Sequence, residues 1–491
     1  MPLDVRVTSG VVRGREEDGV AVFRGIPYAW LAARFGPPGP AVPWDGVREA
    51  DRFGPPPAQG AGSGLDAPEE PGEEWLTLNV WSPDLGGTWP VMVWIHGGAY
   101  LFGRSDLPEY DGGLLARGGV VLVTFNYRVG LEGFGQVEGT PANRGLLDQV
   151  AALEWVRANV GAFGGDPARV TVFGQSAGGG SVAALMAVPR ARGLFARAIA
   201  QSVQGSFFTP ALAADVTRAC ATELGVQPAD LPSVDPWLLP LAADAVLGRM
   251  DQHADRWGRA AHGRILLAPV VDGDVLPTTP WAGLSGEVEL MVGHTRDEQR
   301  LLTALAGELG QIAEARAVET AEIFAPDPGR YRTALPDPEE LYEVVRSDWL
   351  FRMPSLTLAE SQLDAGGAAH LYELTWEVPG MGGMLGACHG LDVPLVFGNL
   401  TAGQPAMLLG EPTEEALAMS EQMRTAWISF ATTGDPGWPG YDTGATRVFD
   451  VRPAVTAYPE VLSREIWRGL TPGVLDLTPP SGEVAAVGEQ P

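Results

Sequence analysis

The 491-residue chain contains no lysine. That excludes every lysine-based mechanism, a serine–lysine dyad included. It has two cysteines, Cys220 and Cys388, too few for a disulfide framework or a cysteine zinc site. Its longest apolar runs, such as 91–95 and 120–125, have strand length and fall far short of a membrane span. The first residues, Met1-Pro2-Leu3-Asp4-Val5-Arg6, hold neither a basic nor an apolar stretch, so no signal peptide is expected there. Basic side chains are scarce, 33 against 61 acidic ones, for a formal net charge of -28. Such a surface is repelled by phosphate backbones and anionic lipids, which argues against nucleic-acid and membrane partners. The expectation is a soluble, reduced, cytoplasmic protein. Histidines number six: His96, His253, His262, His294, His370 and His389. Any imidazole chemistry must draw on one of them.

What is present is a globular composition, 45% hydrophobic and 19% charged. At ~150 residues per domain the length suggests about three domains, or one large enzyme sheet with insertions. Short apolar runs at 91–95, 120–125, 170–173, 198–201 and 290–292 read as strands. Leu146, Val150, Leu153 and Val156 recur at helical spacing, which predicts an amphipathic helix over 145–159. A small-residue helix follows over 181–186. This alternation implies a mainly parallel sheet covered by helices on both faces. Residues ~205–265 and ~300–365 are helix-like without a strand between, as a cap over the sheet's C-terminal edge would be. The stretch 54–72 is rich in proline, glycine and alanine and reads as a surface loop, and the residues from Pro479 on as a frayed tail.

Gly174-Gln175-Ser176-Ala177-Gly178 follows a predicted strand and opens a helix. In that context G-x-S-x-G reads as a nucleophile turn. The turn is so tight that the residues two before and two after the serine can hardly carry side chains. The helix N-terminus behind Ser176 offers N–H groups to a developing oxyanion. A second glycine-rich turn, His96-Gly97-Gly98-Ala99-Tyr100, follows another strand. Its backbone N–H groups are free to point into a site.

Together with Phe23-Arg24-Gly25-Ile26-Pro27-Tyr28-Ala29, Asn126-Tyr127-Arg128, Asn143-Arg144-Gly145-Leu146-Leu147-Asp148-Gln149, Phe163-Gly164-Gly165-Asp166-Pro167 and Gly434-Asp435-Pro436, these motifs make the chain resemble the type-B carboxylesterases. That family includes the cholinesterases and bacterial nitrobenzyl esterases. The resemblance runs along nearly the whole chain. It implies a single α/β-hydrolase domain over 1–478: a large, mainly parallel mixed sheet flanked by helices, with helical cap insertions. It also implies a serine, acid, histidine order. Ser176 takes the nucleophile position, and Gly98, Ala99 and Ala177 take those of the oxyanion hole. Ala99 stands where cholinesterase-like members carry a third glycine, and it still leaves its N–H free.

The base must be a histidine. His389, in Gly386-Ala387-Cys388-His389-Gly390-Leu391-Asp392, resembles the family's histidine loop. His96 is the main rival base, since it adjoins the oxyanion turn, but it reads as a brace for that turn. Glu298, in Gly293-His294-Thr295-Arg296-Asp297-Glu298, matches the family's acid, with Asp297 holding the loop and standing as runner-up. Asp392 is another nearby carboxylate. Gln299 replaces the usual glycine after the acid, and Trp75 replaces a cysteine in the second family signature, so that signature's disulfide cannot form. Gln175 stands where many members carry glutamate, which predicts little preference for choline-like esters. Glu73 is expected to pair structurally with Arg34. Among the large apolar residues in or beside the cap-like stretches, such as Phe207, Phe208, Trp237, Phe324, Phe351, Trp376, Met381 and Met384, a few are expected to line an apolar pocket. The reading needs no cofactor and no metal, and takes a small ester as substrate. The motifs alone leave amides, carbamates, lactones, acyl transfer and a non-catalytic binding role open as alternatives.

Overall fold

The computed structural model describes residues 2–60, 74–403 and 405–479. Its frame is one 13-stranded sheet. Along the main path the strands are β1 (Pro2–Val7), β2 (Gly10–Glu17), β3 (Val20–Pro27), β4 (Thr77–Ser82), β5 (Trp89–Ile95), β6 (Val121–Phe125), β7 (Gly165–Gln175), β8 (Arg197–Gln201), β9 (Glu289–Thr295), β10 (Ala369–Leu374), β11 (Ala445–Phe449) and β12 (Ala454–Ala457). Their spatial order is β1-β2-β3-β4-β6-β5-β7-β8-β9-β10-β11-β12. From β6 across to β11 neighbouring strands run parallel, and antiparallel pairs flank that block on both sides.

The predicted runs at 91–95, 120–125, 170–173, 198–201 and 290–292 fall in β5, β6, β7, β8 and β9. They are apolar throughout because both faces of these strands are covered. Alternate side chains feed two cores. Val91, Val93 and Ile95 point to one, and Met92 and Trp94 to the other. The helix read from its apolar spacing is α1 (Arg144–Asn159), and the small-residue helix is α2 (Ala177–Ala187).

Between β8 and β9 the chain runs through helices at Pro210–Glu223 and Leu238–Leu247. Between β9 and β10 it runs through Glu298–Leu305, Glu314–Phe324, Pro338–Ser347 and Met353–Asp364. A π-helical turn, Asp348–Arg352, interrupts the last of these excursions. Such turns re-aim side chains locally.

One buried ion pair ties two of the sequence blocks together. Arg128 and Asp148 are both fully buried and meet side by side, with Nε to Oδ2 at 2.8 Å and Nη2 to Oδ1 at 2.7 Å. Arg128 Nη1 also donates to the carbonyls of Arg34 and Gly36, each at 2.7 Å. The expected partner of Arg34, Glu73, lies outside the described residues. Among the described residues, Arg34 donates from Nε to Glu132 at 2.6 Å. Parts of two other readings also lie outside the described residues, 61–72 of the loop and 480–491 of the tail.

Removing one member of a buried pair strands the other charge. Asp148→Ala is expected to cost about 3–5 kcal/mol of stability in chemical denaturation. A change below about 1 kcal/mol would show that the pair does not brace this part of the fold.

Candidate active site

The nucleophile turn joins β7 to α2. Ser176 has φ 61° and ψ −124°, a left-handed φ that places it at a strained corner. The glycines are required by contact. A Cβ on Gly178 would lie 2.1 Å from the Ile95 carbonyl oxygen, and one on Gly174 2.7 Å from the same atom. β5 therefore presses directly on the turn. The Ser176 N–H donates to the Gln201 carbonyl at 3.0 Å, which ties the corner to β8.

The end of β5 supplies the second half of the site. A Cβ on Gly97 would lie 3.2 Å from Cβ of Ser176, so the two turns abut. Gly98 adopts φ 115° and Ala99 φ 52°. This tight coil is closed by Leu101 and Phe102, whose N–H groups donate to the Gly98 carbonyl at 2.9 and 3.1 Å. No described protein group accepts a hydrogen bond from the N–H of Gly98, Ala99 or Ala177. Backbone donors without a protein acceptor are what an oxyanion needs. His96 braces this turn. Its ring stacks on Tyr127 at 4.3 Å, its Nδ1 sits 2.8 Å from the Gly97 carbonyl, and its own carbonyl accepts from the Tyr127 hydroxyl at 2.7 Å. Burial pushes the His96 ring down to about 4, which keeps it uncharged.

Glu298 and His389 come from loops after the neighbouring strands β9 and β10 and meet at 2.5 Å, from Oε2 to Nδ1. The second oxygen of Glu298 accepts the Thr295 N–H at 2.9 Å. Burial alone would raise this carboxyl. Its interactions with His389, Ser202 and His294 outweigh it and hold Glu298 below the ordinary carboxylate value. Asp297 plays the other part expected of it. Its N–H donates to the Ala387 carbonyl at 3.0 Å, and its Oδ2 accepts the Ala387 N–H at 2.8 Å. That two-way clamp locks the histidine loop to the acid loop. Gln299 is accommodated without disturbing Glu298: it is buried, and its N–H donates to Ser347 at 3.0 Å. Asp392 faces elsewhere, accepting from Gln201 at 2.8 Å and Tyr372 at 3.1 Å. Burial pushes its carboxyl up to about 6.

With Nδ1 on the carboxylate, Nε2 of His389 faces the nucleophile turn. It lies 3.1 Å from Nε2 of Gln175, the residue just before Ser176. The ring also packs on Phe351, with centroids 4.3 Å apart. Of the apolar residues read as pocket candidates, Phe351 is the one whose ring meets the histidine, and the π-turn presents it. Met381 and Met384 are instead 55% and 57% exposed. Sequence reasoning weighed Gln175 only for its missing charge. Its reach to His389 depends on tertiary geometry that no local pattern reports.

This architecture recurs in known proteins. A carboxylesterase-family model matches residues 2–328 and 330–460. The chain belongs to the carboxylesterase family. It is a carboxylic ester hydrolase with the α/β-hydrolase fold of that family. It is similar to the para-nitrobenzyl esterase of Bacillus subtilis (strain 168), 35% identical over 486 residues, 93% of this chain and 96% of that one. It is also similar to the phenmedipham hydrolase of Pseudarthrobacter oxydans, at 34% identity over 87% of this chain and 90% of that one. The liver carboxylesterase of Sus scrofa shows 33% identity over 86% and 84%. Among solved structures, the Geobacillus stearothermophilus carboxylesterase at pH 6.2 superposes with a TM-score of 0.84, at 34% identity, covering 95% of this chain and all 100% of that one.

The coil at 97–103 makes a sharp contrast testable in this carboxylesterase. A Cβ on Gly98 would lie 2.0 Å from the Phe102 carbonyl oxygen, so Gly98→Ala must displace the N–H donors. It is expected to lower kcat/KM on an aryl ester by about 100-fold or more. Ala99→Gly only relieves a left-handed φ and should leave kcat/KM within about threefold. Equal effects of the two substitutions would contradict the assignment of this coil.

Proposed function

We propose that the carboxylesterase works through an acyl-enzyme on Ser176, with His389 as base, Glu298 as its orienting carboxylate, and Gly98, Ala99 and Ala177 as oxyanion donors. The observation that carries this is the line from Glu298 through His389 to the nucleophile turn. The carboxylate fixes the proton on Nδ1, so the Nε2 lone pair is the one available at the turn. Nε2 takes the Ser176 proton as Oγ attacks the ester carbonyl carbon. The carbonyl oxygen becomes an oxyanion held by three N–H groups. Collapse breaks the carbon–oxygen bond to the alcohol, which leaves with the proton from Nε2. Water then repeats the sequence, with its proton going to Nε2, and releases the acid and free Ser176.

The helices between β8 and β9 and between β9 and β10 serve as the cap over this site, within one catalytic domain. Phe351 gives the site an apolar surface beside His389, which suits uncharged acyl or alcohol groups. Gln175 adds no charge beside the nucleophile. Buried free thiols at Cys220 and Cys388 suit a reducing compartment, and we place the enzyme in the cytoplasm. Among the described residues no helix is long and apolar enough to cross a membrane.

An organophosphate should label the enzyme on Ser176 alone, and Ser176→Ala should abolish both labelling and ester turnover. Glu298→Gln should leave labelling detectable but cut kcat by about 10³–10⁴-fold, since the carboxylate orients the base and does not react. A panel of aryl esters of graded acyl length, run beside amide and carbamate analogues, defines the acyl bond. Activity on amides with none on esters would overturn the reading. A quaternary ammonium ester should gain no more than about threefold over its neutral isostere. A large gain would mean that a cation site exists despite Gln175.

A further inference from the structure

The Nε2 atom of His389 has a single lone pair, in the plane of the ring. The proposed function gives that lone pair to the Ser176 hydroxyl. In the structure it faces the side-chain amide nitrogen of Gln175 at 3.1 Å. Nδ1 is committed to Glu298 at 2.5 Å, so the ring proton sits there and Nε2 is an acceptor. An amide nitrogen is only a donor. The contact is therefore an N–H of Gln175 donating to the base. Gln175 is buried, and its backbone is fixed as the last residue of β7. The amide is thus held at the turn rather than wandering into it.

We propose that Gln175 is a positioning residue: in the free enzyme its amide holds His389 by Nε2, and the Ser176 hydroxyl takes over that lone pair only when substrate enters. This rests on the reading of His389 as the base. The amide suits the task because it has two ends. When Nε2 has gained the serine proton, the amide can turn over and offer Oε1 as acceptor to the new N–H. A carboxylate at 175 could serve only the protonated ring, since it has no hydrogen to donate to a lone pair.

The other charged groups around the ring do not take over this role. Glu298 is on Nδ1. Asp297 is clamped to Ala387. Asp392 is engaged by Gln201 and Tyr372. His294, beyond Glu298, is held by Tyr458 at 3.0 Å. Phe351 covers a face of the ring and offers no polar atom.

The test is nitrogen-15 NMR of histidine-labelled, unliganded enzyme. With six histidines in the chain, the His389 signals are identified by their loss in His389→Gln. Removing the true partner of the lone pair must move the Nε2 resonance. Gln175→Met is expected to move it, with Nδ1 little changed, and Ser176→Ala is expected to leave both in place. Movement on Ser176→Ala, or none on Gln175→Met, overturns the proposal. This readout needs no turnover, so a failed organophosphate label would sink the catalytic reading without deciding this one. Kinetics supply the second arm. Gln175→Glu should move the acid limb of kcat/KM to higher pH by about one unit or more, an approximately tenfold loss below the limb, because a carboxylate favours the protonated ring. A loss of equal size at every pH would mean that residue 175 is merely structural.

Discussion

The short bond between Glu298 and His389 is the interaction on which the site depends. A carboxylate buried this completely is costly unless its charge is matched and its oxygens are bonded. Here His389 takes one oxygen and the Thr295 N–H the other. The bond can form because β9 and β10 are parallel neighbours, so their C-terminal loops emerge side by side. Asp297 then fixes one loop to the other through Ala387. Everything the imidazole does at Nε2 follows from what has been settled at Nδ1.

On the nucleophile's side the governing constraint is steric. β5 and β7 are paired in parallel, and their ends carry the oxyanion turn and the serine turn. Their closeness leaves no space for a Cβ at Gly174 or Gly178. The same closeness brings the turn that holds Gly98 and Ala99 against Ser176. Ala99 tolerates a left-handed φ that glycine would adopt freely, at a cost of about 1 kcal/mol. The −28 charge is a feature of the surface, and the groups at the reacting centre are neutral or paired.

Much of this was legible in the sequence because local pattern and tertiary role coincide. Strands buried on both faces read as unbroken apolar runs. Glycines that only a tight turn requires stand at fixed distances from Ser176. His389 and Glu298 stand out only through the family's motifs, not through spacing, since 91 residues separate them. What stayed hidden depends on side chains meeting across the fold. Arg34 meets Glu132 across 98 residues of chain, a contact that no pattern around Arg34 reveals. Phe351 meets His389 from a π-turn that no local pattern announces. Gln175 reads as a missing charge, and only the assembled site shows its amide against the His389 ring.

The account's central claim is that the ester's acyl group passes through Ser176. Acid quenching during steady-state turnover of an aryl ester, followed by peptide mass analysis, tests it most directly. The account predicts an acyl group on the peptide carrying Ser176, formed with the wild-type enzyme and absent in Ser176→Ala. Ester turnover with no acylated peptide, or with the acyl group on another residue, would contradict it.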